Sequence, residues 1–257
     1  MSPHRPRKRF GQHFLHERGV IDRIVRTLAP RPGERIVEIG PGQGALTAAL
    51  LEEVEHLDAV ELDRDLIAGL TRHWPAHRLT LHPYDALEMD FAALAGTGEP
   101  LRLTGNLPYN ISTPLIFHLL EQPEAITDMH FMLQREVVDR LTAEPGTRAW
   151  SRLSVMVQYH CRADFLFGVP PGAFTPPPQV HSAMVRLVPR EPEPAARDYE
   201  RFVDLVRQAF TQRRKAVRNS LKSRLSTEQM TSAGVDPGLR PDQLTVADYV
   251  ALANITI

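Results

Sequence analysis

The residues with the clearest chemistry in this 257-residue chain lie in one octet, Gly105-Asn106-Leu107-Pro108-Tyr109-Asn110-Ile111-Ser112. It follows the apolar run Leu101-Arg102-Leu103-Thr104, which predicts a short strand. An Asn-apolar-Pro-aromatic tetrad at the mouth of a strand suits the gripping of a planar base that bears an exocyclic amine. The Asn106 side-chain oxygen and a nearby main-chain carbonyl can both accept hydrogen bonds from an NH2 group. Pro108 restricts Leu107 to extended geometry and so aims the Leu107 carbonyl in a fixed direction. Tyr109 offers a flat face for stacking. This set points to methyl transfer onto an adenine amine, provided a methyl-donor site lies nearby.

Three other strand ends supply candidates for that donor site. Arg35-Ile36-Val37-Glu38-Ile39 predicts a buried strand, followed by the turn Gly40-Pro41-Gly42-Gln43-Gly44. Glycines at 40, 42 and 44 let the backbone approach a ligand closely. Their Gly-x-Gly-x-Gly spacing differs from the Gly-x-Gly-x-x-Gly of pyrophosphate binders, which disfavours a dinucleotide. Glu61 ends the second strand, where a carboxylate can accept hydrogen bonds from both ribose hydroxyls of an adenosyl group. Asp63 competes for that role, although its place before the next helix suits an N-cap. Asp85 ends the third strand and can receive an adenine amine. Each acid alone is more often a cap or a surface charge; the ordered series is the informative signal.

The elements that must position these groups alternate. Strands are predicted over residues 35–39, 57–62, 79–84, 101–104, 129–133 and 183–188, and helices over 45–54, 63–74 and 113–120. Strands alternating with helices imply an α/β fold with a parallel, doubly wound sheet. Pro189-Arg190-Glu191-Pro192-Glu193-Pro194 has the composition of a linker. Helical patterns follow it, with start signals at Ser226/Gln229 and Thr245/Asp248. The expected division is therefore 1–189 and 190–257.

Composition excludes some classes. The formal net charge is −1, with 42% hydrophobic and 24% charged residues, ordinary values for a globular protein. No apolar run is long enough to cross a bilayer, and the basic stretch at residues 3–10 lacks the apolar segment of a secretory signal. A single cysteine, Cys161, excludes an internal disulfide framework and fits a reducing, cytoplasmic setting. No metal is expected: His73 and His77 are separated by Pro75 and lack an acidic partner. Charge is unevenly spread. Residues 201–224 hold eight Arg or Lys and one acid, Asp204, whereas residues 34–65 hold nine acids against Arg35 and Arg64. Such segregation suits a polyanionic partner docking on the basic segments. Arg214, Arg218, Lys222 and Lys215 are expected to share one side of a helix as a phosphate-contacting stripe, the alternative being a solvated face.

Together these motifs resemble the S-adenosylmethionine-dependent rRNA adenine N6-dimethyltransferases, closest to the bacterial KsgA type that acts on small-subunit rRNA. The resemblance spans nearly the whole chain. It is carried by Gly11-Gln12-His13-Phe14-Leu15, by Glu38 through Thr47, and by Asn106 through Ser112. Phe131 through Arg140, Phe174 through Val180, Phe210 through Lys215, and Arg240-Pro241 with Tyr249 extend it. His13 stands where the family often has Asn. The resemblance implies a Rossmann-like class I methyltransferase sheet with a small C-terminal helical domain. It implies S-adenosylmethionine held by His13, Leu15, Gly40, Gly42, Glu61, Asp85, Ala86 and Asn106. Asn106, Leu107 and Tyr109 would carry catalysis. Phe174, Arg213, Arg214, Lys215, Arg218 and Lys222 would contact RNA. The implied target is a pair of neighbouring adenosines in the 3′-terminal hairpin loop of 16S rRNA, within the small subunit or its precursor, and the implied state is a monomer.

On this reading hydrogen bonds from the target amine to the Asn106 oxygen and the Leu107 carbonyl draw its nitrogen toward a tetrahedral, nucleophilic shape. No dedicated general base is required. Tyr109 stacks on the base, and Phe174 is expected to supply the opposite face. The rivals are a large-subunit rRNA adenine methyltransferase, a DNA adenine methyltransferase, a ribosome-assembly factor whose methylation is secondary, and a nicotinamide dehydrogenase. The last leaves the Asn-Leu-Pro-Tyr tetrad without a purpose.

Overall fold

A computed structural model describes residues 12–255; the basic stretch at 3–10 and Gly11 fall outside them. The strands are β1 (Phe14–Leu15), β2 (Ile36–Ile39), β3 (Leu57–Val60), β4 (Leu79–His82), β5 (Leu101–Asn106), β6 (Ile126–Gln134), β7 (Cys161–Val169), β8 (Phe174–Thr175) and β9 (Ser182–Pro189). The helices are α1 (Arg18–Leu28), α2 (Ala45–Glu53), α3 (Arg64–His73), α4 (Phe91–Ala95), α5 (Ser112–Leu120), α6 (Arg135–Leu141), α7 (Arg152–His160), α8 (Tyr199–Phe210), α9 (Val217–Ser220), α10 (Thr227–Ser232) and α11 (Val246–Ala253).

The chain forms two units. The first comprises the residues through Val138 together with Asp164–Pro189; the second comprises Asp139–Ala163 and the residues from Arg190 onward. The second segment of the first unit ends at Pro189, and residues 139–163, expected within 1–189, group with the helical part. Their apolar residues explain why: α7 packs against α8 and α11, and Tyr159 stacks on Phe202 with ring centroids 4.5 Å apart.

The large sheet has the order β4-β3-β2-β5-β6-β9-β7. Strands β2 through β6 pair in parallel. All four residues of β2 are buried, as befits a strand covered by helices on both faces. Helix α1 buries Ile21, Ile24, Val25 and Leu28 along one side, the period of an amphipathic helix. These side chains join Ile36, Leu50 and Leu57 in the core. The sheet is parallel-dominated, as expected, with β9 running antiparallel to β6 at one side. Strand β7 has no counterpart among the predicted strands. It follows α7 directly at Cys161, with no Gly or Pro to signal the change.

The chain runs from β2 outward to β4, then returns to β5 on the other side of β2. The switch point therefore lies between β2 and β5, where ligands bind in open α/β sheets. Gly105 sits at that seam. A Cβ there would collide with the Ile39 carbonyl, so only glycine lets β5 lie this close to β2 just before Asn106.

In the second unit the predicted helix starts are present. Ser226 with Gln229 and Thr245 with Asp248 each form a reciprocal capping box. Buried Tyr249 donates its hydroxyl proton to the Pro241 carbonyl at 2.8 Å. No helix among the described residues is long and apolar enough to cross a membrane.

Candidate active site

A cavity of about 360 Å³ opens at the carboxyl ends of the parallel strands in the first unit. Because the strands run β4-β3-β2-β5, their ends deliver Asp85, Glu61, the Gly40–Gly44 turn and Asn106 side by side along one edge. All of them line the cavity except Gly44, together with His13, Leu15, Ala86, Leu107 and Tyr109. The catalytic and donor-binding residues expected from the sequence are thus brought to one place.

Backbone groups orient the two acids. Glu61 Oε1 accepts from the N–H groups of Leu62 and Asp63, both at 2.9 Å, and Oε2 accepts from Gly42 N–H at 3.3 Å. Burial raises the Glu61 pKa while these three bonds oppose the rise. Asp85 Oδ1 accepts from Leu87 N–H at 3.0 Å, which fixes the turn after β4. Asp63 caps α3 through its bond from Asp65 N–H. Both acids after β3 line the cavity; Asp63 is engaged as the α3 cap, and Glu61 is oriented by main-chain N–H groups.

The lining is acidic. Glu38, Glu61, Asp63 and Asp85 face the cavity, and no Lys or Arg among the described residues does. A pyrophosphate would lack its counter-charge there, whereas a cationic sulfonium with an adenosyl group finds carboxylates and apolar walls. Gly42 lies against the ring of Phe14, where a Cβ would come within 3.1 Å of Cδ1. A larger residue would therefore push into the space beside the turn. The residues present fit S-adenosylmethionine, with Glu61 and Asp85 suited to its hydroxyl and amine donors.

Asn106 is held by an unexpected partner. Its Nδ2 donates to the His13 carbonyl at 2.8 Å. A carbonyl only accepts, so the amide nitrogen must face it, leaving Oδ1 as the acceptor presented elsewhere. The His13 ring is engaged through Nδ1 with the Pro176 carbonyl at 2.8 Å. The main chain of His13 thus has the clearer task, which no side-chain pattern could reveal. Leu107 N–H donates to the Met132 carbonyl at 3.1 Å, extending the β5–β6 ladder past Asn106 and setting the Leu107 peptide. Tyr109 is half-buried; its hydroxyl lies 2.8 Å from Ser182 Oγ, and its ring centroid lies 5.6 Å from that of His13.

A family model described as ribosomal RNA adenine dimethylase matches residues 3–257. The chain belongs to the ribosomal RNA adenine dimethylase family. It is 64% identical to the ribosomal RNA small subunit methyltransferase A of Alcanivorax borkumensis over 257 residues, spanning 100% of this chain and 92% of that protein. It is 59% identical to the enzyme of the same name from Pseudomonas aeruginosa over 253 residues, covering 98% of this chain and 94% of that one. Among solved structures, the 23S rRNA methyltransferase ErmE superposes with a TM-score of 0.75 at 28% identity, covering 93% of this chain and 98% of that one. A dimethyladenosine transferase from Plasmodium falciparum gives 0.77 at 23% identity, covering 93% and 96%; that likeness concerns the fold alone.

Two expectations for this dimethylase need correction. Phe174 is only 2% exposed and belongs to the core. In the β1–β8 pair it sits opposite Leu15, and its ring presents no open face for stacking in this structure. Its apolar bulk anchors the loop instead. The basic residues after α8 also do not share one helix. Residues 211–215 form turns, Ala216 has non-helical backbone geometry, and α9 holds only four residues. Val217 N–H goes to the Leu239 carbonyl at 2.7 Å, which breaks the helical ladder. Arg214, Lys215, Arg218 and Lys222 are nevertheless exposed.

Arg213 is differently placed. Its Nη2 donates to the Arg148 carbonyl at 2.6 Å, and its Nε lies 3.5 Å from Asp242 Oδ2. Arg148, Arg213, Arg214 and Arg240 surround a cleft that also contains Asp242 and Gly146. Sequence reasoning misses Arg148, which carries no motif, and gives Arg240 no role. It also assigns no role to Glu38, Leu62 and Tyr84 on the dimethylase cavity wall. Leu62 and Tyr84 remain 47% and 57% exposed although each is large and adjoins an assigned acid, a signal available only once exposure is known.

Proposed function

We propose that this chain transfers methyl groups from S-adenosylmethionine to N6 of two adjacent adenosines in the 3′-terminal hairpin loop of 16S rRNA, giving dimethyladenosines during small-subunit biogenesis. The observation that carries this reading is the orientation of Asn106. Its amide nitrogen is committed to His13, so its oxygen is the group offered to an amine at the switch point of the sheet. The identity shared with small-subunit enzymes along the full chain favours 16S rRNA over a large-subunit target.

S-adenosylmethionine supplies a methyl group activated by a positive sulfur. Glu61 and Asp85 hold the donor's polar groups at the ends of β3 and β4, and the turn containing Gly40 and Gly42 lets the main chain approach it. In the first transfer Asn106 Oδ1 and the Leu107 carbonyl would accept the two N–H bonds of the target amine; in the second, one of them would hold the single N–H that remains. They localise the nitrogen lone pair and align it for in-line attack. Holding reactants in attack geometry can contribute ~7–11 kcal/mol.

Burial pushes the Tyr109 phenol above its usual range, with the Ser182 bond opposing. Tyr109 therefore remains a neutral stacking surface and not a base, a contact worth roughly 1–3 kcal/mol per base. The proton leaves after methyl transfer, to one of the acceptors or to water. A loop adenosine is already partly unstacked, which lowers the cost of extruding it. Arg214, Lys215, Arg218 and Lys222 serve the rRNA phosphates, and Arg213 supports them from its seat on Asp242. The protein acts as a monomer in the cytoplasm.

The test is incorporation of labelled methyl into small subunits that lack the modification, by the native chain and by Asn106→Ala. The proposal requires stoichiometric labelling by the native chain, and loss of labelling in the variant with RNA binding retained. Native turnover in Asn106→Ala would end it.

A further inference from the structure

Among the described residues, the hydroxyl of Tyr109 pairs with Ser182 Oγ at 2.8 Å. Ser182 is fully buried and lies far away in sequence, as the first residue of β9. Its backbone is fixed: Ser182 stands opposite Gln134 in the antiparallel β6–β9 ladder, and Arg135 N–H donates to the neighbouring His181 carbonyl at 2.9 Å. At the other end of the tyrosine, Ser112 Oγ donates to the Tyr109 carbonyl at 3.2 Å. The aromatic ring is therefore tethered at its main chain by Ser112 and at its hydroxyl by Ser182. Two side-chain torsions separate these anchor points, and both are determined when the ends are held.

We propose that Ser182 is a positioning residue for methyl transfer, fixing the plane of the Tyr109 ring against which the target base stacks. This inference rests on the reading of Tyr109 as the stacking partner. A phenylalanine would stack as well on area alone, so the phenol hydroxyl serves to set the angle of the ring. The β6–β9 pair thereby acquires a task in catalysis. It carries a hydroxyl to the rim of the cavity from a strand whose own residues do not line it.

The experiment is a double-mutant cycle on the intact chain with unmodified small subunits as substrate. It measures kcat, KM, donor Kd and Tm for Ser182→Ala, Tyr109→Phe, the pair combined, and Tyr109→Ala. Tyr109→Phe severs the same bond without touching β9, which keeps the test decisive if Ser182→Ala folds poorly. Each single change should lower kcat/KM roughly fivefold, the equivalent of one hydrogen bond. The double variant should be no worse than either single one, with donor Kd unchanged throughout.

Multiplying losses in the double variant would overturn the proposal, since Ser182 would then act independently of the ring. Native kcat/KM in Ser182→Ala or Tyr109→Phe, with a deep loss in Tyr109→Ala, would also overturn it while leaving the stacking role of Tyr109 standing. Native kcat/KM in Tyr109→Ala would remove both.

Discussion

The Asn106 side-chain amide donates to the main-chain carbonyl of His13 across a 2.8 Å hydrogen bond. This bond links the segment before β1 to the end of β5, 93 residues apart, and fixes which end of the amide faces the cavity. Replacing Asn106 with Asp would set a carboxylate against that carbonyl. Two acceptors facing one another leave both unsatisfied, at about 1–3 kcal/mol. Asn106→Asp should therefore lower Tm and lose methyl transfer by on the order of 100-fold or more, corresponding to about 3 kcal/mol. Labelled-methyl incorporation and a thermal melt check both.

Gly105→Ala should damage the same residue from behind. The added methyl collides with the Ile39 carbonyl, so β5 must move away from β2 and carry Asn106 with it. A cost of about 1–3 kcal/mol in stability is expected, with a fall in kcat larger than the change in donor affinity.

The pH dependence of stability should contain a contribution from Glu38. Burial pushes this carboxyl from the usual 4.5 to about 7, despite the hydrogen bond from Thr47 and with Glu61 adding to the rise. A raised pKa means that the folded state holds its proton more tightly than the unfolded chain. The associated stability is present below about pH 4.5 and is lost as pH rises toward and through 7, by roughly 3 kcal/mol in total. Glu38→Gln keeps an acceptor for Thr47 and cannot ionise. Its Tm should gain on the native chain as pH rises from about 5 and level off above about 7, and a constant difference would contradict this.

The basic residues of the second unit should separate into two kinds. Arg214→Glu with Arg218→Glu should weaken rRNA binding and flatten its dependence on salt, by about 0.7–0.9 in the logarithmic slope for each phosphate no longer neutralised. Arg213→Ala should mainly lower Tm, because its guanidinium is held by Asp242 and the Arg148 carbonyl. Equal slopes for the native chain and the Arg214/Arg218 double variant would assign those arginines to a solvated face.

Phe174→Ala should behave as a core deletion, losing about 3–5 kcal/mol of stability. At a temperature where the variant remains folded, its KM for rRNA should stay close to native. A large rise in KM without loss of Tm would restore the stacking role that its burial argues against.

Much of the site is legible in the sequence because it lies at strand ends, where residue type and position coincide. The Gly40–Gly44 turn, Glu61, Asp85 and Asn106 each follow a short apolar run, and a parallel sheet must gather such ends on one edge. What is not legible depends on distant main-chain partners. Nothing in the sequence announces that the His13 carbonyl holds Asn106, or that Ser182 on β9 meets Tyr109. Phe174 resembles a recognition aromatic because it stands in a proline-rich loop, yet its burial against β1 decides its role. The basic stripe fails for a related reason. Helical spacing places Arg214, Arg218 and Lys222 together, but Val217 bonds to Leu239 rather than continuing a helix. Cys161 reads as packing, and burial pushes its thiol to about 12, as befits an inert side chain.

The most direct test of the account is to identify the methylated base. Unmodified small subunits, large subunits and duplex DNA are each incubated with the chain and labelled S-adenosylmethionine, and the label is mapped to individual nucleotides. The account predicts N6,N6-dimethyladenosine at two neighbouring adenosines in the 3′-terminal hairpin loop of 16S rRNA. Label in 23S rRNA, in DNA, or at any atom other than adenine N6 would contradict it.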